Sequence, residues 1–170
     1  MRAVFLRVCR LSDQQLMKRV LEICEKEAVP HTDAGIEAIL FTASGDMRQA
    51  VNNLQSTYAG FGMVNPDNVF KVCDQPHPLL VKEMVKAVLA QDIRRAYEGM
   101  QELWFLGYSP IDIITTLFRV VKQYDMPEYL KLEFIKQIGF MHVRVVDGCS
   151  SLLQFSGLLA KLCKSAAMKE

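Results

Sequence analysis

The residues best suited to chemistry lie in one stretch, GDMRQAVNNLQ at residues 45–55. Gly45 and Asp46 predict a tight turn into a helix, which would place Arg48 in the first helical turn. A cation is unusual there, because the free N–H groups at a helix N-terminus carry a partial positive charge. A bound anion would resolve the conflict, since a phosphate would meet both the arginine and the helix dipole. The alternatives are a contact between Arg48 and Asp46, or an arginine that is simply solvated.

Other motifs for catalysis or metal binding are absent from the 170 residues. We find no phosphate loop, no dinucleotide fingerprint, no His-Glu-x-x-His and no nucleophile elbow. His31, His77 and His142 are far apart in sequence, and no cluster of carboxylates flanks them. They are more typical of ordinary surface or core histidines than of ligands or bases. We therefore assign no catalytic residue and no metal ligand.

The five cysteines form no metal-binding or disulfide pattern; they are Cys9, Cys24, Cys73, Cys149 and Cys163. None lies in a Cys-x-x-Cys pair, and none has a histidine at zinc-ligand spacing. We expect reduced thiols in an intracellular protein, several of them buried as small apolar side chains.

The composition excludes several classes of protein. Twenty basic residues against 19 acidic ones, with 51% apolar residues, do not fit a disordered tail or a polybasic arm. No apolar run approaches the roughly 20 residues that span a bilayer, so we expect no membrane contact. The length suits one domain or two small ones.

The pattern of apolar residues predicts helices nearly throughout. A capping box at Ser12 and Gln15 opens a first helix that Pro30 should end, and Thr32 caps a second over residues 33–43. Two further helices are predicted over residues 46–58 and 67–73, the latter after an Asn65 cap.

Residues 74–78, DQPHP, form the best candidate linker, because two prolines in three residues exclude a continuous helix. Longer helices follow over residues 79–90, over residues 93–106 after an Asp92 cap and before a Gly107 stop, and from about residues 110, 127 and 150. Residues 4–8 instead suggest a strand with no partner. That strand is either disordered or part of a sheet absent from this chain.

The stretch at residues 45–48, with Asn52, Leu54 and Gln55, resembles the sensor-2 helix of clamp-loader AAA+ ATPases. Further strings agree: VFKVCD at 69–74, PHPLLVKEM at 76–84, LGYSP at 106–110 and EYLKLEFIK at 128–136. Together they resemble the small subunits of eukaryotic replication factor C, especially the second-subunit type, over nearly the whole chain.

The resemblance implies an all-α fold, a lid helical bundle followed by a collar helical domain. Residues 1–10 would be a remnant of the nucleotide-binding core, residues 11–74 the lid, and residues 75–170 the collar through which five subunits form a ring. By the same resemblance, Arg48 would reach the γ-phosphate of ATP, while Asp46 and Asn52 shape the turn and the helix.

The departures from the family pattern concern catalysis. The family's Walker A lysine and Walker B carboxylates lie upstream of this sequence. Met1, Arg2 and Ala3 stand where the Ser-Arg-Cys motif is expected, so Arg2 receives no arginine-finger role. We expect no ATP hydrolysis and no cofactor for this chain alone, although the full-length family uses ATP and Mg²⁺.

The leading hypothesis is the C-terminal part of a clamp-loader subunit, acting mainly in oligomerisation. Within a complete nuclear complex it would bind the other replication factor C subunits, and the complex would load the sliding clamp PCNA onto primer–template DNA in replication and repair. Large apolar residues of the collar could serve subunit contact or an ordinary core; they are Leu103, Trp104, Phe105, Phe118, Phe140 and Phe155.

The alternatives are an autonomous module that competes for positions in the ring, and a helical DNA-binding domain. The near-zero net charge argues against DNA binding. The missing core would also fit an incomplete gene model or a splice product.

Overall fold

The structure, a computed structural model, describes residues 11–167, and this part of the chain contains helices and no β-strand. The helices are α1 (Asp13–Lys26), α2 (Asp33–Ala43), α3 (Met47–Phe61), α4 (Pro66–Cys73), α5 (Pro78–Leu89), α6 (Ile93–Phe105), α7 (Pro110–Gln123), α8 (Glu128–Val146) and α9 (Leu152–Ala167). The all-α prediction is therefore confirmed. The strand predicted at residues 4–8, and with it the core remnant at residues 1–10, lies outside the described residues.

The helices belong to two compact units that meet in sequence between Asp74 and Gln75. The first unit holds α1 to α4, and its core includes Leu16, Ile39 and Leu54. The second unit holds α5 to α9 around a separate core that includes Met100, Leu117 and Phe134.

The predicted caps of the first unit are present. The backbone N–H of Gln15 donates to Ser12 Oγ at 3.4 Å, and the Ser12 N–H donates to Gln15 Oε1 at 3.1 Å, which completes a capping box. The Thr32 and Asn65 side chains each accept one hydrogen bond from a backbone N–H in the first turn of α2 and of α4, respectively. Each cap satisfies N–H groups that the helix itself leaves without a partner.

The end of α1 differs from the prediction, because the helix stops at Lys26 and does not continue to Pro30. Ala28 takes a left-handed conformation, with φ of 50°. The Val29 N–H then donates to Cys24 O at 2.9 Å, and the Ala28 N–H to Glu25 O at 3.4 Å. These two bonds form a Schellman motif, which ends the helix before the proline can act.

Ala28→Gly should raise the free energy of unfolding by about 0.5–1 kcal/mol, because glycine adopts a positive φ without the side-chain penalty of about 1–2 kcal/mol. Urea titration followed by circular dichroism measures the change. Ala59→Gly, in the exposed part of α3, is the matched control and should lower stability, since it has no such compensation. A loss of stability in both variants would contradict the prediction.

A close approach of two backbone segments holds α2 in place. The Thr32 N–H donates to Val64 O at 3.0 Å, and the Val64 N–H donates to Pro30 O at 2.9 Å, so that His31 and Val64 form a short parallel bridge. Gly35 faces this contact, and a Cβ at that position would lie 2.4 Å from Val64 O. Only glycine therefore fits there without movement of the backbone.

Helix ends in the second unit follow the sequence signals closely. Asp92 accepts a hydrogen bond from Arg95 N–H at 3.1 Å and caps α6, and Pro110 is the first residue of α7. Gly107, with φ of 86°, follows the end of α6. The Cys149 N–H donates back to Arg144 O and closes α8. α9 begins at Leu152, slightly later than residue 150, and its first-turn N–H groups donate to Ser151 O.

Candidate functional site

The turn before α3 has the form that the sequence predicted. Ser44 and Gly45 both have positive φ, which reverses the chain between α2 and α3. Asp46 is then the N-cap, and its Oδ1 accepts hydrogen bonds from the N–H of Arg48 at 2.8 Å and of Gln49 at 3.2 Å. The motif therefore places Arg48 in the first turn of the helix, as expected.

The guanidinium of Arg48 is exposed to solvent, and no carboxylate of residues 11–167 lies within ion-pair distance of it. The carboxylate of Asp46 contacts the backbone of Arg48, not its charged group. Of the two structural alternatives considered from the sequence, the described residues therefore show a solvated arginine.

An open pocket of about 670 Å³ lies at this end of α3, lined by Asp46, Met47, Arg48, Val51 and Asn52. Arg48 and Asn52 are four residues apart on the helix, so their side chains lie on one face. A guanidinium and an amide side by side can bind one phosphate group through charge-assisted and neutral hydrogen bonds. Asp46 already occupies two first-turn amides, so any anion would depend chiefly on these two side chains.

Asp46→Ala should lower the free energy of unfolding by about 1 kcal/mol, because it leaves two first-turn N–H groups without their acceptor. Asp46→Asn is the matched control and should change stability by only a few tenths of a kcal/mol, since an amide oxygen still caps the helix. Chemical denaturation measures both variants. Equal losses would show that the negative charge, and not the cap, supplies the stability.

Asn53 is a structural residue of this site that sequence reasoning missed. It is buried, its Nδ2 donates to Thr42 Oγ1 at 3.0 Å, and its Oδ1 accepts from Gln49 Nε2 at 2.8 Å. These bonds connect α3 to α2 and so fix the rotation of the helix that carries Arg48. The sequence did contain a signal for its burial. Asn53 lies three residues after Ala50 and one before Leu54, which places it on the core face of α3 with these apolar residues.

Three of the four thiols in the described residues are poorly suited to nucleophilic chemistry. Burial raises the pKa of Cys24, of Cys73, where a hydrogen bond with Thr42 partly opposes the effect, and of Cys163, where Asp92 adds to it. A raised pKa keeps a thiol protonated near neutral pH, and the thiolate is the reactive form. Cys149 is exposed, and Cys9 lies outside the described residues.

The histidines of the described residues serve local structure or face solvent. His77 Nδ1 accepts a hydrogen bond from the Leu79 N–H at 3.2 Å at the start of α5, His31 Nδ1 lies 2.9 Å from Val29 O, and His142 is exposed. Across residues 11–167, no three His, Cys, Asp or Glu side chains are grouped so that they could hold a metal ion. None of the helices α1 to α9 has the length and apolar character to cross a membrane.

The large apolar residues of the second unit divide between core and surface. Leu103 and Phe155 are fully buried, and the Trp104 ring packs against Phe155 with centroids 5.9 Å apart. Phe105 is 76% exposed and Phe140 is 58% exposed. The core therefore uses only part of this apolar set, and the remainder is available to a partner.

Comparison with known proteins gives consistent matches. Residues 76–161 match the family described as the replication factor C C-terminal domain. The chain is 59% identical over 161 residues to replication factor C subunit 2 of Arabidopsis thaliana, which covers 95% of this chain and 48% of that protein. It is 50% identical over 165 residues to replication factor C subunit 4 of Saccharomyces cerevisiae, which covers 96% of this chain and 50% of that protein. The chain thus spans about half the length of the curated relatives it matches.

Proposed function

Since this chain belongs to the replication factor C family, we propose that it acts as the C-terminal part of a clamp-loader small subunit and that its main task is to hold subunits together. The resemblance found in the sequence is confirmed by these matches. The observation that carries the proposal is that the family match covers α5 to α8 and the first part of α9, and that these helices also expose large apolar side chains.

The surface of the second unit supports a protein partner. Phe105, Leu106 and Leu153 are each at least 60% exposed, although they belong to residue types that normally lie in a core. Groups of such side chains mark contact sites more often than plain solvent-facing surface. The partners we propose are the other replication factor C subunits, which this unit would contact as a collar.

The first unit would act as the lid over a nucleotide held by an ATPase core. Arg48 would contact the γ-phosphate of ATP, with Asp46 and Asn52 shaping the turn and the helix. The exposed guanidinium beside Asn52 supports this assignment. One arginine and one amide fit a single phosphate group but not a whole nucleotide, so ATP and Mg²⁺ would need further residues for binding and hydrolysis.

The complete complex would use ATP to load the sliding clamp PCNA onto primer–template DNA during replication and repair. That work takes place on nuclear DNA, so the proposal also places the chain in the nucleus. Within the complex, α5 to α9 would bind the neighbouring subunits, and α3 would supply one contact to a phosphate group.

Co-expression with the other replication factor C subunits tests the proposal. We expect residues 1–170 to co-purify with them, and we expect the chain alone to show no ATP turnover. Strictly monomeric elution in the presence of those subunits would contradict the proposed association. ATP hydrolysis above background by the chain alone would contradict the proposal that hydrolysis needs residues beyond those of this chain.

A further inference from the structure

The buried polar side chains of the first unit are gathered on two neighbouring helices. Among residues 11–74, they are Thr42 on α2, at 5% exposure, and Asn53 and Thr57 on α3, at 6% and 0%. The buried residues of α1 and α4 are aliphatic, aromatic or cysteine. The core faces of α2 and α3 are therefore the polar part of an otherwise apolar core.

One hydroxyl group joins three helices at this place. Thr42 Oγ1 accepts a hydrogen bond from Asn53 Nδ2 at 3.0 Å and donates to Ile39 O at 3.0 Å within α2. The Cys73 thiol, at the end of α4, also forms a hydrogen bond with Thr42. The other end of the Asn53 amide is used as well, because its Oδ1 accepts from Gln49 Nε2 at 2.8 Å. The amide and the hydroxyl are thus both satisfied while α3 keeps its present rotation.

A polar pair is not the most stable way to fill this space. Folding exchanges hydrogen bonds with water for hydrogen bonds within the protein, so an apolar pair of the same shape stabilises a core about equally. The polar pair differs in specificity, because a rotation of one helix leaves a buried amide without its partner, whereas apolar side chains repack. Thr57 lacks this property, since its Oγ1 donates to Asn53 O at 2.7 Å in the same helix. The bond between Asn53 and Thr42 therefore serves to fix an orientation.

The rotation of α3 decides where Arg48 points. At about 100° per residue, Arg48 lies about 140° around the helix axis from Asn53, and Asn52 lies about 100° from it on the same side. With Asn53 turned into the core, both side chains come out at the pocket that lies at the start of α3. The stretch between Arg48 and Asn53 is continuous helix, so a rotation at one residue is carried to the other. The bond between Asn53 and Thr42 thus sets the direction of both pocket side chains.

We propose that Asn53 and Thr42 are positioning residues for phosphate recognition: their buried hydrogen bond holds α3 in the rotation that presents Arg48 and Asn52 to one phosphate group. The inference rests on the proposed function, in which Arg48 contacts a phosphate, and adds the interior groups that direct this contact. A purely structural role predicts that stability and phosphate affinity change together. A positioning role predicts that they separate when the pair is replaced by apolar side chains.

Thr42→Val combined with Asn53→Leu, named the apolar pair, tests the orientation. It should be more stable than Thr42→Val alone, because the single change leaves the Asn53 amide buried without its acceptor. In the apolar pair we expect the methyl resonances of Val51 and Leu54 to broaden or multiply in two-dimensional NMR spectra, since α3 is no longer held in one rotation. One sharp set of resonances at the positions of the parent chain would overturn the proposal. An apolar pair less stable than the single variant would overturn it too, because the bond would then serve stability.

Titration of residues 1–170 with inorganic phosphate at constant ionic strength tests the contact itself, with the N–H resonances of Arg48 and Asn52 as the signal. We expect a saturable shift in the parent chain, a severalfold weaker affinity in the apolar pair and in Thr42→Val, and no binding in Arg48→Ala. Thr42→Ser keeps the hydroxyl and should bind like the parent chain. Failure of Thr42→Ser to restore the affinity would overturn the proposal.

Thr57→Val is the matched control, because it removes a buried hydroxyl from the same helix without breaking a bond between helices. It should keep one set of methyl resonances and the phosphate affinity of the parent chain. A loss of affinity as large as that in Thr42→Val would overturn the proposal, since any change in the core of α3 would then have this effect.

Failure of this inference can be told from failure of the proposed function. Phosphate that binds the parent chain, the apolar pair and Thr42→Val equally contradicts the positioning role alone. Phosphate that shifts no resonance of the parent chain contradicts the phosphate contact of the proposed function, and the positioning role with it.

Discussion

Replacing Gly35 with alanine is expected to lower the free energy of unfolding of the first unit by about 3 kcal/mol, because the new methyl group has no room. The added Cβ would lie 2.4 Å from Val64 O and 2.8 Å from Val64 C, and both are backbone atoms. Relief requires α2 to move away from Val64, which would break the hydrogen bonds that join Val64 to Thr32 and Pro30. Alanine's better helix propensity recovers only about 1 kcal/mol of this loss.

Chemical denaturation and amide hydrogen exchange in α2 and α4 measure this effect. Gly60→Ala is the matched control, because Gly60 is also helical and a Cβ there would meet no atom within 4 Å. That variant should be neutral or slightly more stable. Equal stability of the two variants would contradict the prediction, because it would show that the backbone near Val64 can move away from the added methyl group with little loss of free energy.

Phe155→Ala is expected to cost the second unit about 3–5 kcal/mol, the range found when a buried aromatic side chain is truncated. Phe155 is fully buried, and its ring is tilted against the Trp104 ring, with a 59° angle between the two planes. Its loss would leave a cavity that the surrounding helices fill only in part. The contact between the two rings would also be lost.

Trp104 is the single tryptophan of the chain, so its fluorescence reports directly on this region. We expect a shift of its emission to longer wavelength and an unfolding midpoint at lower urea concentration. Leu153→Ala is the control, since Leu153 is 80% exposed, and it should change stability by less than about 0.5 kcal/mol. A similar loss of stability in both variants would contradict the prediction, because it would mean that the exposed fraction of a side chain does not determine its contribution to stability here.

The parts of the fold that were predictable depend on short-range chemistry. A cap needs one side chain and an N–H group two or three residues further along, so Ser12, Thr32, Asn65 and Asp92 could be recognised from sequence. The end of α1 could not, because it depends on a left-handed alanine. Nothing in its residue type signals this conformation, and Pro30 offered a more obvious stop.

Contacts between distant segments escaped prediction for a related reason. Gly35 is required by Val64, and Asn53 is satisfied by Thr42, and in both cases the partner belongs to another element. Sequence reasoning also left Phe105 and Phe155 in one undivided group, although one is exposed and the other buried. Such a division depends on how helices are rotated against one another, which spacing alone does not determine.

The candidate site was predictable in position more than in detail. The motif placed Arg48 and Asn52 on the first turns of a helix, and the structure shows them beside one pocket. The sequence motif did not reveal that the Asp46 carboxylate accepts hydrogen bonds from backbone N–H groups of α3. The role of Arg48 toward ATP stays a prediction. Nucleotide binding measured with Arg48→Ala in the assembled complex would test it.

The short alternation in α6, with Leu103 buried and Phe105 exposed, sets a limit on changes of length. Each added residue turns all later positions by about 100° around the helix axis. An insertion between the Asp92 cap and Leu103 would therefore turn Phe105 away from solvent and remove Leu103 from the core. Point substitutions on the outer face leave this arrangement intact. Over its evolution, α6 should therefore have tolerated many exchanges of residue type but very few insertions or deletions.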